Sequence, residues 1–182
     1  MAEPTSRERA IDQLLAKQSI RDALSRYCHG VDRCDADMLK SAYWPDATDT
    51  HGTFNGNAWE FADVITASMR DNMLRSMQHI GNVLIELDED GSHARVETYV
   101  IAYMQIEEDG LDKDMLIAGR YLDRFEKRSS EWRILDRLYV MDWNRNDTST
   151  SLWSEGIYEM LQARGKRYPD DPWDQNLPTP RK

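Results

Sequence analysis

His79-Ile-Gly-Asn-Val-Leu-Ile-Glu-Leu87 is the stretch on which the fold turns. Upstream of it, apolar residues recur at helical spacing; from it onward the chain is rich in Val, Ile, Tyr and Thr, the composition of strands. The stretch closes on Asp88-Glu-Asp-Gly91, a turn, and three further runs follow at 93–106, 114–126 and 131–143. Glu107-Glu-Asp-Gly110 and Lys127-Arg-Ser-Ser130 separate them. Hairpin-like links between long strands imply an antiparallel meander. Ile117, Tyr121 and Phe125 alternate with Leu116, Ala118 and Leu122, so both faces of the sheet carry apolar residues. Such a sheet needs cover on both sides. Helices supply it on one; a cavity, a tail or another subunit must supply it on the other.

Upstream, the first ~45 residues read as helix. Thr5-Ser-Arg-Glu8 has the pattern of a capping box. Ile11, Leu14 and Leu15 form one apolar stripe, and Ile20, Ala23, Leu24, Tyr27, Cys28 and Val31 form a second. The two stripes point to nearly opposite sides, so the helix either breaks near Ser19 or is buried on both faces. Gly30 is expected to end it, and Asp35 to cap a short helix through Met38, Leu39 and Ala42. Trp44-Pro-Asp-Ala reads as a turn, and Thr48 to Phe54 as a short strand closed by Asn55-Gly56. Residues 58–70 read as a third helix, built on Trp59, Phe61, Ala62, Ile65 and Met69. The expected class is α+β, with residues 1–145 as a single domain. Residues 146–182 form a polar tail whose Trp153, Tyr158, Leu161, Tyr168 and Trp173 pack on the domain or on a neighbouring subunit.

The chain has 182 residues, 40% hydrophobic and 31% charged, which suits one soluble domain with a proper core. A net charge of −10 argues against a nucleic-acid partner. No apolar run is long enough for a membrane span, and Met-Ala-Glu-Pro-Thr-Ser-Arg-Glu lacks a signal core, so a cytoplasmic location is expected. Cys28 and Cys34 have neither a CxxC context nor a second cluster, which disfavours zinc, and a disulfide is not expected in a reducing compartment. There is no glycine-rich phosphate loop and no His-rich metal signature, so neither a metal nor a cofactor is expected.

Asp32, in Tyr-Cys-His-Gly-Val-Asp (27–32), follows the second helical stripe, and His79 stands where a strand begins. A carboxylate beside an imidazole fixes its tautomer and stabilises its charged form, which makes a general base near neutral pH. Tyr27, one turn before Asp32, is placed to donate to a substrate oxygen. Arg120 alternates with Tyr121 and could bind an oxyanion or pair with Asp32; salt bridging in a structural role is the competing reading. His51 is a candidate second acid or base, and Met104 a flexible pocket wall.

Arg26-Tyr-Cys-His-Gly-Val-Asp32, Pro45-Asp-Ala-Thr-Asp-Thr-His-Gly52, Gln78-His79, Gly119-Arg-Tyr-Leu-Asp-Arg-Phe-Glu126 and the hairpin with Trp132 occur in an order that resembles the SnoaL-like branch of the nuclear transport factor 2-like superfamily. The resemblance implies a cone-shaped, cystatin-like curved sheet wrapped around N-terminal helices. Scytalone dehydratase, hexachlorocyclohexane dehydrochlorinase and bile-acid 7α-dehydratase share that cone, with an aspartate and a histidine facing the cavity at positions matching Asp32 and His79. Tyr27 matches a tyrosine of the bile-acid enzyme. Met104 and Met141 stand where members carry a second histidine and an arginine and are expected to bind substrate there, and His51 aligns with a tyrosine. The resemblance thus implies a cofactor-independent lyase, a dehydratase or dehydrohalogenase, using an Asp32–His79 dyad on a small apolar, cyclic substrate. A non-catalytic small-molecule binder, an isomerase or cyclase, and a dioxygenase partner subunit are the alternatives on the same fold. The two-sided apolar sheet favours a homo-oligomer, dimer or trimer.

Overall fold

The computed structural model describes residues 5–176. Helices α1 (Ser6–Arg33), α2 (Ala36–Lys40) and α3 (Ala58–Asn72) lie against one sheet made of β1 (Tyr43–His51), β2 (Phe54–Asn57), β3 (Arg75–Leu87), β4 (His93–Glu108), β5 (Leu111–Arg128) and β6 (Glu131–Thr148). The strand order is β2-β1-β6-β5-β4-β3. The expected meander is β3 through β6, antiparallel throughout. β1 joins β6 in parallel, so the curved sheet as a whole is mixed.

Helix boundaries follow from local chemistry. Thr5 and Glu8 form the capping box of α1. α1 does not break at Ser19, whose hydroxyl donates to the Leu15 carbonyl within the helix. Nor is it buried on both faces, because every residue from Thr5 to Leu15 is exposed and the buried apolar residues form the one stripe from Ile20 to Val31. Gly30 does not end the helix. A Cβ there would lie 2.6 Å from the Leu39 backbone nitrogen, so the glycine lets α2 pack directly on α1. The helix stops at Arg33, and Cys34 takes the left-handed conformation with φ 54°. Asp35 and Asn57 cap α2 and α3 by accepting from the main-chain N–H groups of the following turn.

Trp44-Pro-Asp-Ala belongs to β1 and is not a turn. The pairing of β1 with β6 is irregular between Tyr43 and Thr48, and there Pro45 is tolerated without its N–H. β1 and β2 form a hairpin with His51 opposite Phe54 and Gly52 at φ 61° between them.

The core forms where Ile20, Leu24 and Tyr27 of α1 meet Tyr43, Phe125 and Ile134 of the sheet. It encloses a buried ion pair. Arg137 donates to both Asp123 oxygens at 2.7 Å, and its guanidinium lies 4.0 Å from the ring centroids of Tyr27 and Tyr121. Past Thr148 the chain crosses the sheet's outer face, makes a 3₁₀ turn at Gly156–Met160 and ends in α4 (Pro172–Asn176). Arg167 ties this tail to the body by donating to the carbonyls of Asp32 and Met73 and to the Ser76 hydroxyl. The Tyr168 N–H adds a 2.6 Å bond to the Arg33 carbonyl. Residues 177–182 of the expected tail lie outside the described residues. Among the described residues, no helix is long and apolar enough to cross a membrane.

Candidate active site

The concave face of the sheet and helices α1 and α3 enclose a cavity of about 100 Å³. Its polar lining comes from Tyr27, His51, Gln78, Tyr121 and Tyr139, set among apolar residues that include Phe61, Met69 and Met104. Tyr27, His51 and Met104 therefore stand where the sequence expected them.

The expected Asp32–His79 dyad is not formed. His79 is exposed, and across the sheet it stands in one row with Ile101, Ala118 and Trp143 on the outer face. The neighbouring row, Gln78, Ala102 and Ile117, lines the cavity. Strand side chains alternate, so β3 turns Gln78 inward and His79 outward. Asp32 is buried, but both its carboxylate oxygens accept the main-chain N–H of Gln78, at 3.0 and 2.9 Å. Burial raises its pKa to about 6, against the Gln78 bond and the charges of Arg33 and Arg167.

Two substrate-binding expectations also change. Arg120 lies on the outer face, opposite Tyr99, and its guanidinium bonds Glu97 at 2.8 Å and Asp142 at 3.0 Å. It is a structural ion-pair residue that reaches neither the cavity nor Asp32. Met141 is 55% exposed and does not line the cavity. Its strand is irregular there, opposite Ala118 and Gly119.

A different acid and imidazole do meet. Asp49 and His51 are two apart on β1 and share its inner face. His51 Nδ1 lies 3.7 Å from Asp49 Oδ1, and both atoms are buried without a hydrogen-bond partner. The other Asp49 oxygen accepts from the Tyr43 hydroxyl at 2.5 Å. The His51 ring is clamped between Phe61 and Tyr139, with centroids 5.1 and 4.5 Å away and planes 20° and 13° from parallel. That sandwich restrains tilt of the ring. A separation of 3.7 Å is longer than a hydrogen bond. Asp49 was legible in principle. The expected strand from Thr48 to Phe54 already put it at i, i+2 from His51, on the same face.

Burial pushes the Tyr27 and Tyr121 phenols well above their ordinary pKa, and Tyr139 in the same direction, so all three are neutral donors at physiological pH. Both cysteines are free and buried. Among the described residues, one group has metal-ligand spacing: Asp88, Asp90 and His93 in the β3–β4 turn, away from the cavity. Its two acids are exposed, and Ser92 bonds Asp90 and His93.

The fold recurs in solved structures. A hexachlorocyclohexane dehydrochlorinase (LinA) of type 2 superposes with a TM-score of 0.71 at 21% identity, covering 81% of this chain and 99% of its own. The type 3 enzyme from Novosphingobium barchaimii gives 0.68 at 22% identity, with coverage of 75% and 93%. A nuclear transport factor 2-like protein from Salmonella enterica serovar Typhimurium gives 0.60 at 18% identity, with coverage of 78% and 96%. At these identities the likeness is one of fold. No curated protein matches the sequence. The SnoaL-like domain model matches residues 12–138, which run from within α1 to the middle of β6 and include every residue lining the cavity except Tyr139. The chain belongs to the SnoaL-like domain family, on the nuclear transport factor 2-like fold.

Proposed function

We propose that this protein is a cofactor-independent lyase that eliminates water or a hydrogen halide from a small apolar, cyclic molecule, with His51 as general base and Asp49 as the carboxylate that orients it. The observation that carries this reading is the pair of buried, unpartnered atoms, His51 Nδ1 and Asp49 Oδ1, facing each other at the cavity wall. A proton on Nδ1, turned toward Asp49, leaves Nε2 unprotonated. Nε2 takes a proton from the carbon next to the leaving group, and the electron pair of that C–H bond becomes the double bond. The leaving group departs with the electrons of its own bond: a halide leaves as the anion, and a hydroxyl takes a proton from a cavity tyrosine and leaves as water. The imidazolium that forms is stabilised by Asp49. A cavity of about 100 Å³ is smaller than the ~150 Å³ hollow that admits benzene, so a six-membered ring needs flexible walls such as Met69 and Met104 to swing aside.

The test is a panel of halogenated and hydroxylated cyclohexanes, with halide release and product absorbance as readouts. With a turned-over substrate, His51→Gln is expected to lower kcat by about 10²–10⁴-fold. Asp49→Asn should lower it in the same direction, and His79→Gln should leave it unchanged. Full activity in His51→Gln would overturn the assignment. Saturable binding by cavity-filling compounds without any product would overturn the lyase reading in favour of a binding protein.

A further inference from the structure

We infer that the groove between the sheet's outer face and the C-terminal tail binds a small organic anion with a flat apolar body. The groove measures about 720 Å³, within the range of small-molecule sites, and shares no lining residue with the cavity. Met77 and Tyr103 supply its floor from β3 and β4, and Trp153, Tyr158 and Leu161 its wall from the tail.

Charge identifies the occupant. Arg33, Arg75, Arg164, Lys166 and Arg167 line the groove, and no acidic one of the described residues does, in a chain whose net charge is −10. Among the described residues, only Arg33 of these five is in an ion pair, 3.7 Å from Asp171. Arg75, Arg164 and Arg167 are held in place by neutral groups. Arg75 and Arg164 lie over the Trp153 ring, 3.6 and 5.1 Å from its centroid. Arg75 also donates to the Gln105 side-chain oxygen, and Arg164 to the carbonyls of Leu161, Trp153 and Tyr158. Arg167 bonds two carbonyls and a hydroxyl. Such partners fix the direction of a guanidinium without cancelling its charge, so the cations repel one another across the groove. A carboxylate placed among them relieves that repulsion and takes up charge-assisted hydrogen bonds. An attached ring covers Met77, Tyr103 and Leu161. The chain's overall charge of −10 repels a polyanionic strand.

The full-length protein, labelled with ¹³C at its methionine methyls, reports on both sites at once, because Met77 lines the groove and Met104 the cavity. The probes are 2-naphthoate and its uncharged analogue 2-naphthamide. Titration with 2-naphthoate is expected to shift the Met77 methyl and leave Met104 in place, with 2-naphthamide at least about tenfold weaker. Arg164→Gln and, separately, Lys166→Gln should each weaken 2-naphthoate binding without changing that of the amide. Lys166→Gln keeps the test valid if loss of Arg164 loosens the tail, because only the Lys166 main chain is bonded in the fold. Equal affinity for acid and amide, a static Met77, movement of Met104 in its stead, or unchanged affinity in Lys166→Gln would each overturn the inference. None of these outcomes depends on His51 or on turnover.

Discussion

At the scale of the residue, Asp32 is a carboxylate held in the wrong place for its charge. Its carboxyl titrates near 3.8 when solvated and at about 6 in the fold, with burial the leading cause. The folded state thus binds the proton more tightly, and protonation favours folding. The penalty is absent below about pH 4, grows as pH rises through the window between the two values, and is complete above about pH 6, where it amounts to about 3 kcal/mol at most. Asp32→Asn keeps an oxygen to accept the Gln78 N–H and removes the charge. The variant is expected to melt higher than the parent at pH 8 and to match it at pH 4. An equal difference at both pH values would show that the carboxylate's charge is not the reason. The sequence brought Asp32 to notice for its position at the end of a buried stripe, and that position is real. Its partner was misjudged because a strand's period of two makes His79 and Gln78 interchangeable to a reader who does not know the register. Only pairing with Ile101 or Ala102 settles which of them looks inward.

At the scale of the element, Gly30 gives a prediction of unusual sign. A glycine in the middle of a helix is ordinarily improved by alanine, by about 1 kcal/mol. Here the added methyl would meet Leu39 main-chain atoms at 2.6 and 2.7 Å, and backbone yields less readily than a side chain. Gly30→Ala is expected to destabilise by about 1–3 kcal/mol, read as a lower urea midpoint at unchanged slope. A gain in stability would mean that α2 can move away freely. The element types were legible from periodicity alone: the long helix, the capping box, the third helix and the meander all follow from spacing and turn residues. The ends were less so. Gly30 looked like a terminus because glycine is the usual left-handed cap, whereas Cys34 takes that role. Pro45 looked like a turn because prolines rarely lie inside strands, whereas β1 absorbs it at an irregular stretch of its pairing.

At the scale of the whole molecule, the sheet leaves one face without helices. Leu84, Tyr99, Ile101, Leu138 and Trp143 are each at least 42% exposed. Tyr99, Ile101, Leu138 and Trp143 cluster with Leu122 and Ala118 across paired strands, and His79 sits at the edge of the same cluster. Patches of this kind mark association surfaces. A dimer or trimer in sedimentation equilibrium, shifted toward monomer by Leu138→Glu, is the expected outcome; a monomeric parent at micromolar concentration would contradict it. Two-sided apolar strands made this need for cover visible in the sequence. The groove was not visible, because its cations are scattered from Arg33 to Arg167 and only the return of the tail assembles them.

The parallel joint between β1 and β6 has a temporal consequence. Thr48 and Asp136 are hydrogen-bonded across 88 positions of chain, and Asp49 and His51 ride on the same strand. β1 can pair with β2 as a local hairpin, but a nascent polypeptide must emerge to its last strand before that hairpin joins the main sheet, so the imidazole and its carboxylate are among the final parts to be set in place. Any fragment that stops short of β6 keeps most of the meander and forfeits the chemistry.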